Sequence, residues 1–322
     1  MTPSSANPAP RFRISRYRGL AWWGSGLACL LSLIGLLLCW LNPNIAAPLR
    51  PGLDFTGGTQ IQLLRDCPSS GCSPQSSAQL QRQLSGLQLQ VEPNTPSPNL
   101  AATSVQVLDQ GRSLLLRLPD LSPAQATAVI DAVRQQVGPL DPSGTAVNTI
   151  GPTLGSQLLK GSLVSLLVSF AAIAAYISFR YDRLFAALAL VCLAHDVLIT
   201  CGVFAWLGYL RGVEVDSLFA VSLITVAGYS VTDTVVVFDR IREQKTAMSG
   251  LPVSDQVDVA VDATLTRSLY TSLTTLLPLV ALIFFGGATL FWFAVALTIG
   301  IAVGSWSSIG IAPTLLPVFS RR

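Results

Sequence analysis

Charge is what this chain has least of. Asp, Glu, Lys and Arg make up 11% of its 322 residues, against about 25% in a typical water-soluble domain. With 51% hydrophobic residues beside that, an ordinary soluble globular protein is excluded. Histidine occurs once, as His195. With no Cys/His cluster around it, no metal site is expected. A net charge of +3 is too small to point to nucleic acid as a partner. No glycine-rich phosphate loop of the Walker A kind and no G-x-S-x-G elbow occurs anywhere in the chain. An intramembrane aspartyl protease would need a second catalytic aspartate and a G-x-G-D segment, and "GYSVTD" at 228–233 is not one. No cofactor and no enzymatic activity are therefore expected, and the energy source left open is an ion gradient.

What the chain has is long apolar runs. Six of them, at 20–41, 158–178, 184–209, 217–238, 268–287 and 289–311, reach the roughly 20 residues a helix needs to cross a bilayer. The first is too long for the apolar core of a cleaved signal and lacks a convincing A-x-A site, so it is taken as a retained helix. Arginine asymmetry orients the set. "RFRISRYR" precedes helix 1, "FRYDR" joins helices 2 and 3, "DRIREQK" follows helix 4, and Arg321 and Arg322 end the chain. The alternate connections hold only Arg211 and the uncharged "FGGA". Residues 1–19, 239–267 and 312–322 should thus be cytoplasmic, with both termini on that side.

Residues 42–150 then form an exported segment. "DFTGGTQIQLL" suggests a strand interrupted by a glycine pair, and "PQSSAQLQRQLSGL" has helical spacing. After a turn-rich patch, "EPNTPSPN", come the strand candidates "TSVQVL" and "GRSLLLRL". A Ser-capped helix, "SPAQATAVIDAVRQQV", and a last strand, "GTAVNTI", complete the segment. The order β-α-β-β-α-β points to a ferredoxin-like α+β domain inserted between helices 1 and 2 of an all-α six-helix membrane bundle. Gly57 and Gly58 suit either a turn or bulge ahead of the sheet, beside Asp54, or an ordinary loop. Cys67 and Cys72 fall in this segment, where an oxidising compartment allows a disulfide or leaves two free thiols.

Ionisable residues inside the apolar runs cost about 2.5–3.5 kcal/mol each at a helix centre and need a reason. His195, Asp196, Asp233 and Arg267 qualify. Asp233 lies five residues inside the end of helix 4, and Arg267 stands at the mouth of helix 5, which runs the other way. Each sits on a polar stripe, Ser222–Thr225–Tyr229–Asp233 and Thr264–Arg267–Thr271–Thr274, at spacings that share one helix face. A carboxylate whose cationic partner approaches and retreats changes its hold on a proton, so the pair could act as a relay or as a static ion pair. His195 and Asp196 are adjacent, so they are expected to point about 100° apart, away from each other. That pair suits either a structural or a functional role. Tyr229, Thr232, Asp239 and Thr271 are the remaining supporting candidates.

Seven segments taken together resemble the SecF subunits of bacterial protein export, in the SecD/SecF family. They are "DFTGGT", "IGPTLGSQL", "HDV", "AGYSVTDTVVVFDRIRE", "TRSLYTSLTTLL", "FGG" and "GSWSSIGIA", in family order from about residue 15 to the end. The resemblance implies a membrane part similar to the resistance-nodulation-division transporters. It also implies pairing with SecD and docking on SecYEG, with SecA, YajC and YidC as further partners. The proton-motive force would then drive the completion of preprotein translocation. The family's proton path maps onto Asp233 and Arg267, and a further acidic residue would come from SecD. Thr232 stands where the family commonly has Asn, Asp262 and Ala263 replace a frequent Asn-Gln, and Trp306 replaces a smaller residue or tyrosine. The rival reading is a proton-coupled transporter of a small molecule or lipid. Drug-exporting relatives of that superfamily, however, carry twelve helices and two large exported domains per chain. The expected location is the inner (plasma) membrane, or the thylakoid membrane in a photosynthetic cell.

Overall fold

A computed structural model of the chain describes residues 10–43, 45–67, 72, 76–89, 98–100, 103–108 and 111–320. Most of "EPNTPSPN", the interior of the Cys67–Cys72 loop and the terminal pair Arg321 and Arg322 lie outside the described residues. In chain order the elements begin with a 3-10 turn (Ile14–Tyr17), α1 (Arg18–Leu41), α2 (Leu53–Thr56), β1 (Gly58–Arg65) and α3 (Ser77–Ser85). Next come β2 (Ser104–Leu108), β3 (Ser113–Leu118), α4 (Pro123–Val137) and β4 (Leu140–Ile150). Six helices finish the chain: α5 (Pro152–Arg180), α6 (Arg183–Arg211), α7 (Ser217–Ala247), α8 (Val253–Phe285), α9 (Gly287–Gly310) and α10 (Ala312–Phe319). The chain divides into two compact units, one of residues 51–161 and one of the remainder.

The smaller unit is built on a four-stranded antiparallel sheet in the order β2-β3-β1-β4. Alternation along β1 sends Ile61 and Leu63 into the core, where they meet Leu114 and Leu116 of β3. Leu80 and Leu84 of α3 and Val129 and Val133 of α4 close over them. Fully burying a Val or Leu side chain contributes roughly 1.5–3 kcal/mol, so this cluster holds the helices to the sheet. Helix α4 starts where the sequence placed its cap. The Ser122 hydroxyl accepts from the Gln125 amide at 3.3 Å, and Gln125 Oε1 accepts from the Ser122 amide at 3.0 Å, with Pro123 in the first turn.

The segment "DFTGGTQIQLL" is not a strand from its start. Leu53–Thr56, with Asp54 in its first turn, is a single helical turn, and the strand begins only at Gly58. Gly57 ends the turn at φ 71° and Gly58 follows at φ 121°. A Cβ on Gly58 would sit 2.6 Å from the Leu118 carbonyl oxygen. Two consecutive positive φ values are open to glycine at little cost and are strained for other residues. Cys67 and Cys72 are joined as a disulfide, with Cα atoms 5.2 Å apart.

The larger unit contains α1, α6 to α10 and most of α5. Six helices among the described residues are long and apolar enough to cross a membrane. Helices α6 and α7 are the most buried of them, while α5 and α8 expose most of their apolar surface. Small residues set the close approaches, as expected where lipid removes the hydrophobic drive between helices. A Cβ on Gly202 of α6 would lie 2.1 Å from Ser32 Cβ of α1. One turn further along, Trp206 donates its indole N–H to the Leu31 carbonyl at 2.9 Å. Gly300 of α9 packs so near α7 that a Cβ there would come within 2.2 Å of the Val226 side chain.

The connection expected at 239–267 is helical over most of its length, because α7 runs on to Ala247 and α8 already starts at Val253. Apolar length marks where lipid would end, not where the backbone stops coiling. Arg240 pairs with Glu243 at 2.5 Å, and Arg242 with Asp239 at 3.8 Å, both at i,i+3 spacing. Val257, Ala260 and Val261 bury the start of α8. The segment before α1 docks there too. The backbone amides of Arg11 and Phe12 donate to the Asp262 carboxylate at 3.2 and 3.0 Å. Ser15 donates to Asp258 through both its amide (2.9 Å) and its hydroxyl (2.6 Å). Asp262 is thus an anchor for the segment before α1. The tail expected at 312–322 is likewise mostly the helix α10.

Two outcomes follow from this packing. Alkylating the unfolded, unreduced chain should modify four of its six cysteines, Cys29, Cys39, Cys192 and Cys201, and all six after reduction; mass spectrometry reads the difference. Gly202→Val should force α1 off α6 and cost about 1–3 kcal/mol, measured as a lower thermal unfolding midpoint in detergent.

Candidate functional site

The buried face of α7 is set by its own sequence. Ser222, Val226, Ser230, Asp233, Val237 and Ile241 are all buried and recur at steps of three and four, the period of one helix face. Asp233 therefore points into the bundle. The hydroxyl of Ser268, on α8, donates to its Oδ1 at 2.8 Å, and that of Ser308, on α9, donates to its Oδ2. Three helices meet at this carboxylate.

The expected stripe on α8 holds at Thr264 and is one position out of phase beyond it. Thr264, Ser268 and Ser272 form its buried face, whereas Arg267, Thr271 and Thr274 are exposed. Consecutive helix positions differ by about 100°. Both stripes carry hydroxyls, and hydropathy alone does not choose between them. Among the described residues no ion pair joins Arg267 to Asp233. The contact expected from Arg267 is made instead by the next residue, Ser268. Thr271 turns its hydroxyl back to the Arg267 and Ser268 carbonyls at 3.0 Å each, and Thr232 does the same to Gly228 at 2.8 Å.

A second carboxylate lies in the same bundle. Asp196 of α6 is fully buried, and its Oδ2 accepts from the Ser230 hydroxyl of α7 at 2.5 Å and the Ser307 hydroxyl of α9 at 2.7 Å. Its Oδ1 lies 2.8 Å from Nδ1 of His195. The two adjacent residues do face each other, contrary to the expectation from sequence. The 100° rule describes where Cα–Cβ bonds leave the helix, and side-chain torsions swing both polar groups back into contact. Gly304 makes room for the meeting, since a Cβ there would lie 3.1 Å from Ser230 Cβ and 3.5 Å from Asp196 Oδ2.

Hydroxyls extend the network on one side. Tyr229 donates to Ser272 at 3.1 Å, and Ser272 shares a 2.5 Å hydrogen bond with Ser305 of α9. Asp239 lies apart from both carboxylates, beside Tyr181. Burial, with the neighbouring Asp239 carboxylate, pushes the Tyr181 phenol up to about 12, so it stays a donor at neutral pH. Trp306 faces away from the carboxylates and donates its indole N–H to the Ser25 hydroxyl of α1 at 3.1 Å.

Sequence reasoning passed over Ser230, Ser268, Ser307 and Ser308. The signal for two of them was in "GSWSSIG", two adjacent serines near the end of an otherwise apolar helix. What the arrangement can do chemically follows from the donors. A carboxylate paired with arginine is held in its charged form. A serine hydroxyl both donates and accepts, because its proton rotates. Hydroxyls around Asp233 can therefore satisfy the carboxylate and the carboxylic acid alike. An uncompensated charge in a low-dielectric interior is costly, and taking up a proton relieves that cost.

Removing one hydroxyl from a buried carboxylate leaves it short of a donor. Ser308→Ala should cost roughly 1–3 kcal/mol, while Thr271→Ala, whose hydroxyl bonds only its own helix, should cost under about 0.5 kcal/mol. Thermal unfolding midpoints of the two variants in detergent check this.

Comparison with known proteins agrees with this architecture. Residues 129–322 match the family described as Protein export membrane protein SecD/SecF, C-terminal, and residues 45–69 match the SecD/SecF GG Motif. The chain is 52% identical to Protein translocase subunit SecF of Prochlorococcus marinus over 98% of its own length and 97% of the relative's. It is 42% identical to that of Synechocystis sp. over 92% and 90%. The crystal structure of SecDF, a translocon-associated membrane protein from Thermus thermophilus, superposes with a TM-score of 0.78 at 29% identity. That match covers 97% of this chain and 39% of the larger one. With a family match over more than half its length and a 52% identical relative spanning nearly all of it, the chain belongs to the SecD/SecF family of protein-export membrane proteins.

Proposed function

We propose that this chain is the SecF subunit of a protein translocase and that it uses a proton gradient to complete the passage of preproteins, with Asp233 as the residue that takes and releases the proton. The single observation that carries the proposal is the cage around Asp233. A carboxylate buried at the junction of α7, α8 and α9 is held by two hydroxyls and, among the described residues, by no cation. Such a cage accepts either protonation state, whereas a purely structural ion pair would fix one.

The SecF relatives support the export role. The Thermus chain, in which a region like this one makes up 39% of a single SecDF polypeptide, supports a SecD-type partner. In this reading Arg267, on the exposed face beside Ser268, meets the partner's acidic residue. Residues 42–150, which hold the sheet of order β2-β3-β1-β4, are a ferredoxin-like domain on the exported side, and both termini are cytoplasmic. Docking on SecYEG, with SecA, YajC and YidC as further partners, belongs to the same proposal. So does a location in the plasma or thylakoid membrane of a cyanobacterial-type cell.

The test uses membrane vesicles holding the channel, a SecD partner and this chain. Late-stage translocation of a preprotein is compared with and without a proton gradient, for the wild type and Asp233→Asn. The gradient should speed completion in the wild type, and the substitution should remove that gain while the complex still assembles. A variant that keeps its full gradient response would reduce Asp233 to a packing residue.

A further inference from the structure

His195 has no place in the Asp233 cage, yet it is the only histidine in the chain and its side chain is 8% exposed. Its Nδ1 faces the Asp196 carboxylate at 2.8 Å. Its Nε2 is buried without a hydrogen-bond partner among the described residues. Leaving a buried polar atom unpaired is unfavourable, by about 1–3 kcal/mol. With Nδ1–H donated to the carboxylate, Nε2 carries the basic lone pair of the ring.

We propose that His195 and Asp196 form a second proton-binding site in this chain, linked to Asp233 through the adjacent serines Ser307 and Ser308 of α9. A hydronium ion of the aqueous phase gives up one O–H bond, its proton binds the Nε2 lone pair and a water molecule is left. Nδ1–H stays hydrogen-bonded to Asp196 Oδ1. The pair passes from a net charge of −1 to an imidazolium–carboxylate pair of zero net charge, which is cheaper to hold in a low-dielectric bundle. Release reverses the step.

The link to Asp233 is geometric. Helix α7 carries Ser230, which donates to Asp196, three residues before Asp233 itself. Helix α9 sends Ser307 to Asp196 and Ser308 to Asp233. A change in protonation at Asp233 alters the donor it needs from Ser308, and the helix that supplies that donor also supplies Ser307 to Asp196, the carboxylate that holds His195. The ionisable groups in electrostatic contact with Asp196 include Cys29 from α1 and Cys192 from α6, and Asp233 lies about one turn along α7 from Ser230. Helices α9 and α10 bring no ionisable side chain. The coupling rests on Asp233 exchanging a proton, but the protonation of His195 does not.

A single histidine makes the test direct. The full-length chain, made with 15N-labelled histidine and no polyhistidine tag, is placed in lipid bilayers, and solid-state NMR follows Nδ1 and Nε2 across about pH 4–9, the range in which a histidine titrates. Nε2 should pass from unprotonated to protonated in one step while Nδ1 keeps its proton. Asp196→Asn should weaken proton binding by tenfold or more, about one pH unit, and Asp233→Asn by a smaller but resolved amount. An Nε2 that holds one state throughout, or titrates identically in the wild type and Asp233→Asn, would overturn the proposal. The wild-type titration depends on no variant folding. If His195 titrates as expected while Asp233→Asn keeps its gradient-driven translocation, the reading of Asp233 falls and the second site stands.

Discussion

Two carboxylates buried among apolar helices are the constraint on which the rest of the membrane unit depends. Among the described residues neither Asp196 nor Asp233 has a lysine or arginine partner; hydroxyls from neighbouring helices hold them, with His195 beside one of them. A charge at a helix centre costs about 2.5–3.5 kcal/mol even on the lenient insertion scale. The helices must therefore meet where serines can reach both groups. That requirement fixes α9 against α6 and α7, and α8 against α7, more narrowly than apolar packing could.

Helix α9 is the element that satisfies it. Two of its glycines, Gly300 and Gly304, let it press against Val226 and Ser230 of α7. At that distance its two adjacent serines fall on different carboxylates. A bulkier residue at position 304 would push the hydroxyls away, so the small residues and the polar contacts form one device. The choice of hydroxyls over cations matters for chemistry as well as packing. An ion pair resists a change of protonation state, whereas a rotating O–H accommodates either.

Around this centre the chain uses its remaining acids as fasteners. Asp258 and Asp262 hold the backbone of the segment before α1, and Asp239 sits beside Tyr181 and Arg242. The extension of α7 to Ala247 and the early start of α8 at Val253 give them a rigid base.

Much of this was determined by the sequence alone. Six apolar runs imply six long helices, because in lipid a backbone must satisfy its own hydrogen bonds. The β-α-β-β-α-β succession, the Ser122 cap and the place of Asp233 inside a long apolar helix could all be read from local pattern. The tertiary structure decided what local pattern leaves open. Arg267 and Ser268 are neighbours in sequence, and only the rotation of α8 within the bundle exposes the arginine and turns the serine to Asp233. His195 and Asp196 have diverging Cα–Cβ directions, and only the surrounding helices bring the ring and the carboxylate together. Ser307 and Ser308 are unremarkable hydroxyls until α9 is packed, when one falls on each buried charge. Helix period gives the spacing of a face but not its phase, and the phase belongs to the partners that a helix finds.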